Sequence, residues 1–269
     1  MDNTKIVQNH YDSNVEVEWA RIANRPEFLL TCRFLDRYVR PGERVLDIGG
    51  GPGRYSKYLL DKGCDVTLYD LSEENVRFAL DMNPTLKGVA GDAREADKKV
   101  TGPFDHVLLM GPLYHLLEEG DRVQAVNAAL ALLKPGGMLF ASFISSHAGI
   151  IYLMKDAPEV LASNPREIEF MNLVIEDKPF AGTGFTSNYF IRQKDVLPFM
   201  AQFPLEKQHL FGQESILAPC ENNILAQTPE VYARWLDLAE KLSEREAFLS
   251  WAEHLMYVGR KKQAVSCAE

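Results

Sequence analysis

The sequence predicts an α/β fold, a doubly wound and mainly parallel sheet with helices on both faces. Three observations carry that expectation. Short apolar runs, beginning with Val45–Ile48, alternate with helical stretches through the middle of the chain, as buried parallel strands and their crossovers require. The first run ends in three alternate glycines, Gly49, Gly51 and Gly53, followed by a helical Tyr55–Leu60. The second run, Cys64–Tyr69, ends in an acid, Asp70. A strand, a glycine turn and a helix N-terminus make a nucleotide pocket at the carboxyl edge of such a sheet. An acid on the next strand tip is then placed to accept from ribose hydroxyls.

The elements follow in order. His10–Asn14 offers cap residues before a helix over Val15–Ala23, and Pro26 opens a second helix with Phe28, Cys32, Leu35 and Val39 on one face. Pro41-Gly42 turns the chain into the first strand. After Asp70, Ser72 caps a helix carrying Glu74, Val76 and Phe78. The third strand, Leu86–Ala90, leads into Gly91-Asp92-Ala93, and the fourth, Phe104–Met110, into Gly111-Pro112-Leu113-Tyr114-His115-Leu116. A helix over Asp121–Leu133, with Val123, Val126, Leu130 and Leu133 inward, reaches the turn Lys134–Gly137 and a fifth strand, Met138–Ile144.

From about Ser146 to Asn188 the alternation stops, and the stretch is rich in Met and aromatics, with a helical Pro165–Ile175 and a Gly182-Thr183-Gly184 turn. An insertion here sits over the carboxyl edge, so it reads as a lid, with Tyr152, Phe185 and Tyr189 as candidate substrate-pocket residues and Met154 and Phe170 beside them. Arg192–Phe203 is then helical, Leu205–Phe211 is a sixth strand, Val231, Trp235, Leu238 and Leu242 mark a helix face, Ser243 caps a further helix, and Leu255–Arg260 is the last strand.

Composition narrows the function. The chain has 269 residues, 46% of them hydrophobic, with a net charge of −9. No basic cluster suited to displacing phosphate counterions occurs, which speaks against nucleic acid as a partner. The four cysteines, Cys32, Cys64, Cys220 and Cys267, form no C-x-x-C pair, so no metal site is expected. No apolar run suits a signal segment or a membrane span. The expectation is a cytoplasmic protein, monomeric or homodimeric, acting on a small molecule.

A dinucleotide fold needs G-x-G-x-x-G, yet the position of its third glycine holds Arg54 or Ser56, depending on the starting glycine. The pattern D-x-G-x-G-x-G from Asp47 instead resembles the first motif of class I S-adenosylmethionine-dependent methyltransferases. G-P-L-Y-H-L resembles the fourth motif of their small-molecule members, and K-P-G-G also matches. The D/N-P-P-Y/F motif of nucleic-acid N-methyltransferases is absent. The resemblance covers about Tyr11 to Lys261. It implies a Rossmann-like, seven-stranded sheet whose last strand is antiparallel, with S-adenosyl-L-methionine as cofactor.

The same resemblance implies cofactor contacts at Gly49, Gly50, Gly51, Asp70, Leu71, Asp92, Ala93 and Met110. Glu18-Trp19-x-Arg21 resembles an N-terminal helical cap that folds over the cofactor, with Tyr11 and Arg21 closing the pocket. Tyr114 and His115 are the candidate catalytic groups, since His is the natural base near neutral pH. Positioning alone, without a base, is the alternative for an in-line methyl transfer. The expected organisation is a cap at 1–42, a cofactor-binding half at 43–145, a lid at 146–190, the rest of the sheet at 191–262 and a tail at 263–269. A nicotinamide-dependent oxidoreductase and a non-catalytic protein that binds the same cofactor are the competing readings.

Overall fold

Nine strands join in one sheet: β1 Arg44–Ile48, β2 Asp65–Asp70, β3 Lys87–Ala90, β4 Phe104–Leu109, β5 Leu133–Ser145, β6 Phe180–Thr183, β7 Ser187–Ile191, β8 Leu205–Gly212 and β9 His254–Lys261. The structure is a computed structural model and describes residues 2–184 and 186–263. Strands β3, β2, β1, β4 and β5 lie side by side in parallel, and β9 pairs antiparallel with β5 and carries β8 on its other edge. This is the expected seven-strand core with its last strand reversed. The order runs outward from β1 in both directions, so the chain crosses over at the β1–β4 boundary, where such sheets open a crevice.

Alternation along the strands divides the core into two layers. Leu46 and Ile48 face one cluster with Val107, Leu109, Val126 and Leu139. Val45 faces the other, with Val66, Leu68, Leu108 and Phe140. Each strand is buried on both faces because helices cover both. Helices α3 (Pro26–Tyr38), α4 (Arg54–Asp61) and α5 (Glu73–Met82) cover the second layer, through residues such as Phe34, Leu59 and Ala79. The helix Glu119–Leu132 covers the first, with Ala125, Val126, Ala129 and Leu132 inward.

Several local expectations change. Of the expected cap residues His10–Asn14, Asn14 stands at the N-cap of α2 (Val15–Arg21), while His10–Asp12 end a further helix, α1 (Asn3–Asp12), whose own cap is Asp2 accepting from the Thr4 amide. The Lys134–Gly137 turn is a bulge inside β5: pairing jumps from Phe104↔Leu133 to His106↔Met138, and Gly136 takes φ +80°, a conformation that glycine adopts without a Cβ clash. The helix Pro229–Leu242 buries Leu236 and Ala239 against Leu30 and Leu217, which leaves Val231, Trp235 and Leu238 exposed. Ser243 closes that helix by bonding the Glu240 carbonyl and does not open the next.

The insertion folds as three helices, Ala148–Asp156, Val160–Ser163 and Pro165–Ile175, and the hairpin β6–β7. The hairpin extends the main sheet. Strand β7 pairs in parallel with the tip of β5 at Ile144 and Ser145, past the point where the β4 register ends at Ala141. Thus the inserted segment borders the carboxyl edge through backbone hydrogen bonds. The expected tail lies, from residue 264 on, outside the described residues.

Candidate active site

The turn after β1 is held from three sides. Gly49 donates its N–H to the Tyr69 carbonyl of β2 at 2.7 Å. Its φ is +75°, and a Cβ there would stand 2.3 Å from Cδ of Pro112 in the loop after β4. Only glycine lets those two loops meet. Beneath the turn, Asp47 is fully buried and accepts a 2.7 Å bond from the Ser56 hydroxyl, while burial pushes its carboxyl up to about 7.

Asp70, at the tip of β2, faces this turn. One carboxylate oxygen accepts the Gly51 N–H at 2.8 Å; the other accepts the Ser72 N–H at 2.9 Å and the Asn75 amide at 3.2 Å. Burial pushes the Asp70 carboxyl up, and these three bonds oppose it without cancelling it. The oxygen toward Gly51 keeps acceptor capacity for a ligand hydroxyl. At the tip of β3, Asp92 takes the backbone N–H of Arg94 at 2.9 Å and its guanidinium at 2.5 Å. Burial would raise this carboxyl, but Arg94 outweighs it and holds it low.

Helices α1 and α2 form the roof. The Tyr11 hydroxyl lies 2.8 Å from Nε2 of His115, whose Nδ1 lies 3.0 Å from the Ser187 carbonyl of β7. Further bonds tie α1 down: Arg94 to Thr4 at 3.2 Å, Ser72 to Asp12 at 2.5 Å and Ser187 to Asn3 at 3.3 Å. Arg21 ends α2 between two carboxylates, Glu18 at 3.0 Å and Glu27 at 2.9 Å. Burial disfavours its charge, but Glu27 and Glu18 more than compensate and hold it firmly charged.

Roof, turn and strand tips enclose a cavity of about 250 Å³. Tyr11, Arg21, Gly49, Gly50, Gly51, Asp70, Leu71, Asp92, Ala93, Met110, Tyr114 and His115 all line it. Of the sequence-expected substrate residues, Tyr152 and Tyr189 do not. Tyr152 is 53% exposed on the inserted helix Ala148–Asp156, away from the cavity. Tyr189 lies under the Arg122 guanidinium, 3.6 Å from its ring centre, against the core. An aromatic after a long insertion fills the nearest gap, and here that gap is not the cavity. Phe185 lies outside the described residues.

Other lining residues had no sequence signal: Glu27, Tyr55, Ser142 and Gln213. Glu27 merely follows a helix-opening proline, Ser142 sits in an ordinary strand position of β5, and Gln213 follows the end of β8. Behind them His254 donates from Nδ1 to Glu214 at 2.6 Å. Burial alone would lower this imidazole, yet Glu214 and Glu27 outweigh it and hold it at about 9. Glu27, Glu214 and His254 bring one donor atom each within 4.8 Å of one another. A metal would have to displace that proton and compete with Arg21, so the cluster reads as a neutralised charge network.

A family model described as a methyltransferase domain matches residues 45–137, the stretch from β1 to the β5 bulge that contains both strand-tip acids, Asp70 and Asp92. That stretch is thus similar to a methyltransferase domain. The matched stretch supplies the glycine turn, Asp70, Asp92 and the loop holding Tyr114 and His115, whereas α1, α2, Glu27 of α3, Ser142 and Gln213 complete the cavity from outside it. Among curated relatives, the ubiquinone biosynthesis O-methyltransferase of Bordetella avium is 32% identical over 130 residues, covering 46% of this chain and 53% of that protein. The enzyme of the same name from Cronobacter sakazakii is 28% identical over 176 residues, covering 64% and 65%. The chain thus spans between about half and two thirds of the length of these relatives. The methyltransferase fold extends further: the structure of a Burkholderia thailandensis 1,6-didemethyltoxoflavin-N1-methyltransferase, bound to 1,6-didemethyltoxoflavin and S-adenosylhomocysteine, covers 96% of this chain and 88% of its own. Its TM-score is 0.58 at 16% identity.

Proposed function

We propose that this protein transfers the methyl group of S-adenosylmethionine to a small-molecule acceptor. The observation that carries this reading is Asp70, whose carboxylate is fixed 2.8 Å from the Gly51 amide and opens into the same cavity as the glycine turn. A carboxylate held there suits the two hydroxyls of a ribose. The relatives, the ubiquinone biosynthesis O-methyltransferases, and the toxoflavin N-methyltransferase structure agree with a small acceptor.

The bound cofactor supplies an activated methyl on a sulfonium. Asp70 grips the sugar, Asp92 and Ala93 meet the adenine edge, and the open backbone of Gly49–Gly51 borders the amino-acid end. Arg21 offers a guanidinium to the carboxylate there, suited to bidentate pairing. Tyr11 and the rest of α1 close the roof and exclude water, so that alignment does most of the work. His115 is uncharged: burial pushes it down to about 4. A carbonyl only accepts, so Nδ1–H donates to Ser187 and Nε2 accepts from Tyr11. Its basic nitrogen is therefore engaged by the roof, which makes it a brace; a proton from the acceptor would reach it only through the Tyr11 hydroxyl. Tyr114 stays a neutral phenol, since burial pushes it well up.

Titration calorimetry with S-adenosylhomocysteine tests this reading. Wild type should bind in the micromolar range or tighter, and transfer of labelled methyl into a metabolite extract should give a labelled product. Binding without any labelled product would favour the non-catalytic reading, and no binding would end the proposal.

A further inference from the structure

We propose that the cavity wall beneath α3 is the acceptor subsite, and that it takes a small polar acceptor through an N–H or O–H bonded to the Glu27 carboxylate and a second polar atom at the Tyr55 hydroxyl. This rests on the methyltransferase reading above and adds the acceptor's chemistry.

Tyr55 carries the first part. It is 7% exposed and lines the cavity, and its hydroxyl lies by the Thr31 side chain without a well-formed hydrogen bond among the described residues. A buried phenol so weakly satisfied keeps room for a bond to a ligand atom. The ring is fixed against Phe28 of α3, with centres 5.1 Å apart, so the hydroxyl keeps one place. Glu27 carries the second part. Its carboxylate is 9% exposed and bonds Arg21 at 2.9 Å, with His254 on its other flank. Burial would protonate it, but Arg21 and His254 keep it ionised. An ionised carboxylate in a dry wall strongly favours a donor group over an apolar one.

The floor continues in the same chemistry. Ser142 donates to the Gln213 amide oxygen at 2.5 Å, and the Gln213 nitrogen donates to Thr31 at 3.0 Å. All three are buried. An alkyl chain laid here would set apolar surface against the Glu27 carboxylate and the Tyr55 hydroxyl and give neither a polar partner. The wall therefore selects against long apolar acceptors.

The subsite is tested on the full chain saturated with S-adenosylhomocysteine, using ring-matched probes: phenol and aniline as donors, toluene as the apolar control. Ligand-observed NMR or calorimetry should give phenol or aniline at least about tenfold tighter than toluene. Tyr55→Phe and Glu27→Gln should each cut that preference several-fold, and Tyr55→Phe should leave S-adenosylhomocysteine affinity within about threefold of wild type. Toluene binding as well as phenol, no probe binding, or a preference untouched by both variants overturns the subsite. Failure of wild type to bind S-adenosylhomocysteine falls instead on the methyltransferase reading.

Discussion

The Tyr11 hydroxyl donates to Nε2 of His115 at 2.8 Å, across 104 residues of sequence, and joins the roof helix α1 to the loop after β4. Because His115 donates its Nδ1–H to the Ser187 carbonyl of β7, one imidazole links three separate segments. Removing the donor should loosen the roof and leave the sheet unchanged. Tyr11→Phe is expected to lose about 1 kcal/mol at the latch. S-adenosylhomocysteine should then bind about fivefold more weakly, and hydrogen exchange should rise in residues 3–12 with β1 and β4 unchanged. Unaltered exchange in α1 would contradict the latch.

The same imidazole sets an acid-side limit. Its folded value, about 4, lies below the ordinary 6.5, so between these the unfolded chain binds the extra proton. The stability from keeping His115 neutral is complete above 6.5 and is lost as pH falls toward about 4. The loss is on the order of 3 kcal/mol. Thermal melts of His115→Gln should show a shallower fall over that window than wild type.

His254 acts in the opposite direction. It is held at about 9, above its ordinary 6.5, by Glu214 and Glu27, which overcome its burial. The folded chain binds the extra proton in that interval, so its contribution is present below 6.5 and disappears as pH rises toward about 9. Melting temperature should decline across that range in wild type and decline less in His254→Gln.

Asp70→Ala should weaken S-adenosylhomocysteine binding by at least about a hundredfold, since the carboxylate both holds the Gly51 amide and lines the cavity proposed for the cofactor. Asp70→Asn separates the two roles: the amide oxygen can still accept from Gly51, so the fold should recover before the affinity does. Calorimetry alongside thermal melts distinguishes them.

Gly49→Ala places a methyl 2.3 Å from Pro112 Cδ at a φ of +75°. Strain and clash together should cost about 1–3 kcal/mol and push the turn off the β4 loop. Both melting temperature and cofactor affinity should drop, whereas Gly42→Ala should leave affinity unchanged: Gly42 has φ +85° and nothing within 4 Å of its Cβ, and it sits outside the cavity.

The sequence by itself determined the five parallel strands, the glycine turn and the acid at the tip of β2, whereas the reversed last strand came only from the family resemblance. The first three are local: an apolar run long enough for a buried strand, a turn that tolerates no Cβ, an acid at a strand tip. The side of the cavity formed by the turn and the strand tips was legible for the same reason, because strand order carries those tips to one edge. What only the tertiary structure decided depends on residues meeting across the chain. Burial of α1 over the cavity comes from Tyr11, Thr4 and Asp12 finding His115, Arg94 and Ser72. The joining of β7 to β5 comes from a free stretch of strand beyond Ala141. Tyr152 and Tyr189 misled because an aromatic side chain is equally suited to a pocket, a surface or a cation's flat face. Glu27, Tyr55 and Gln213 stayed silent because a polar residue announces itself only when burial has taken its water away.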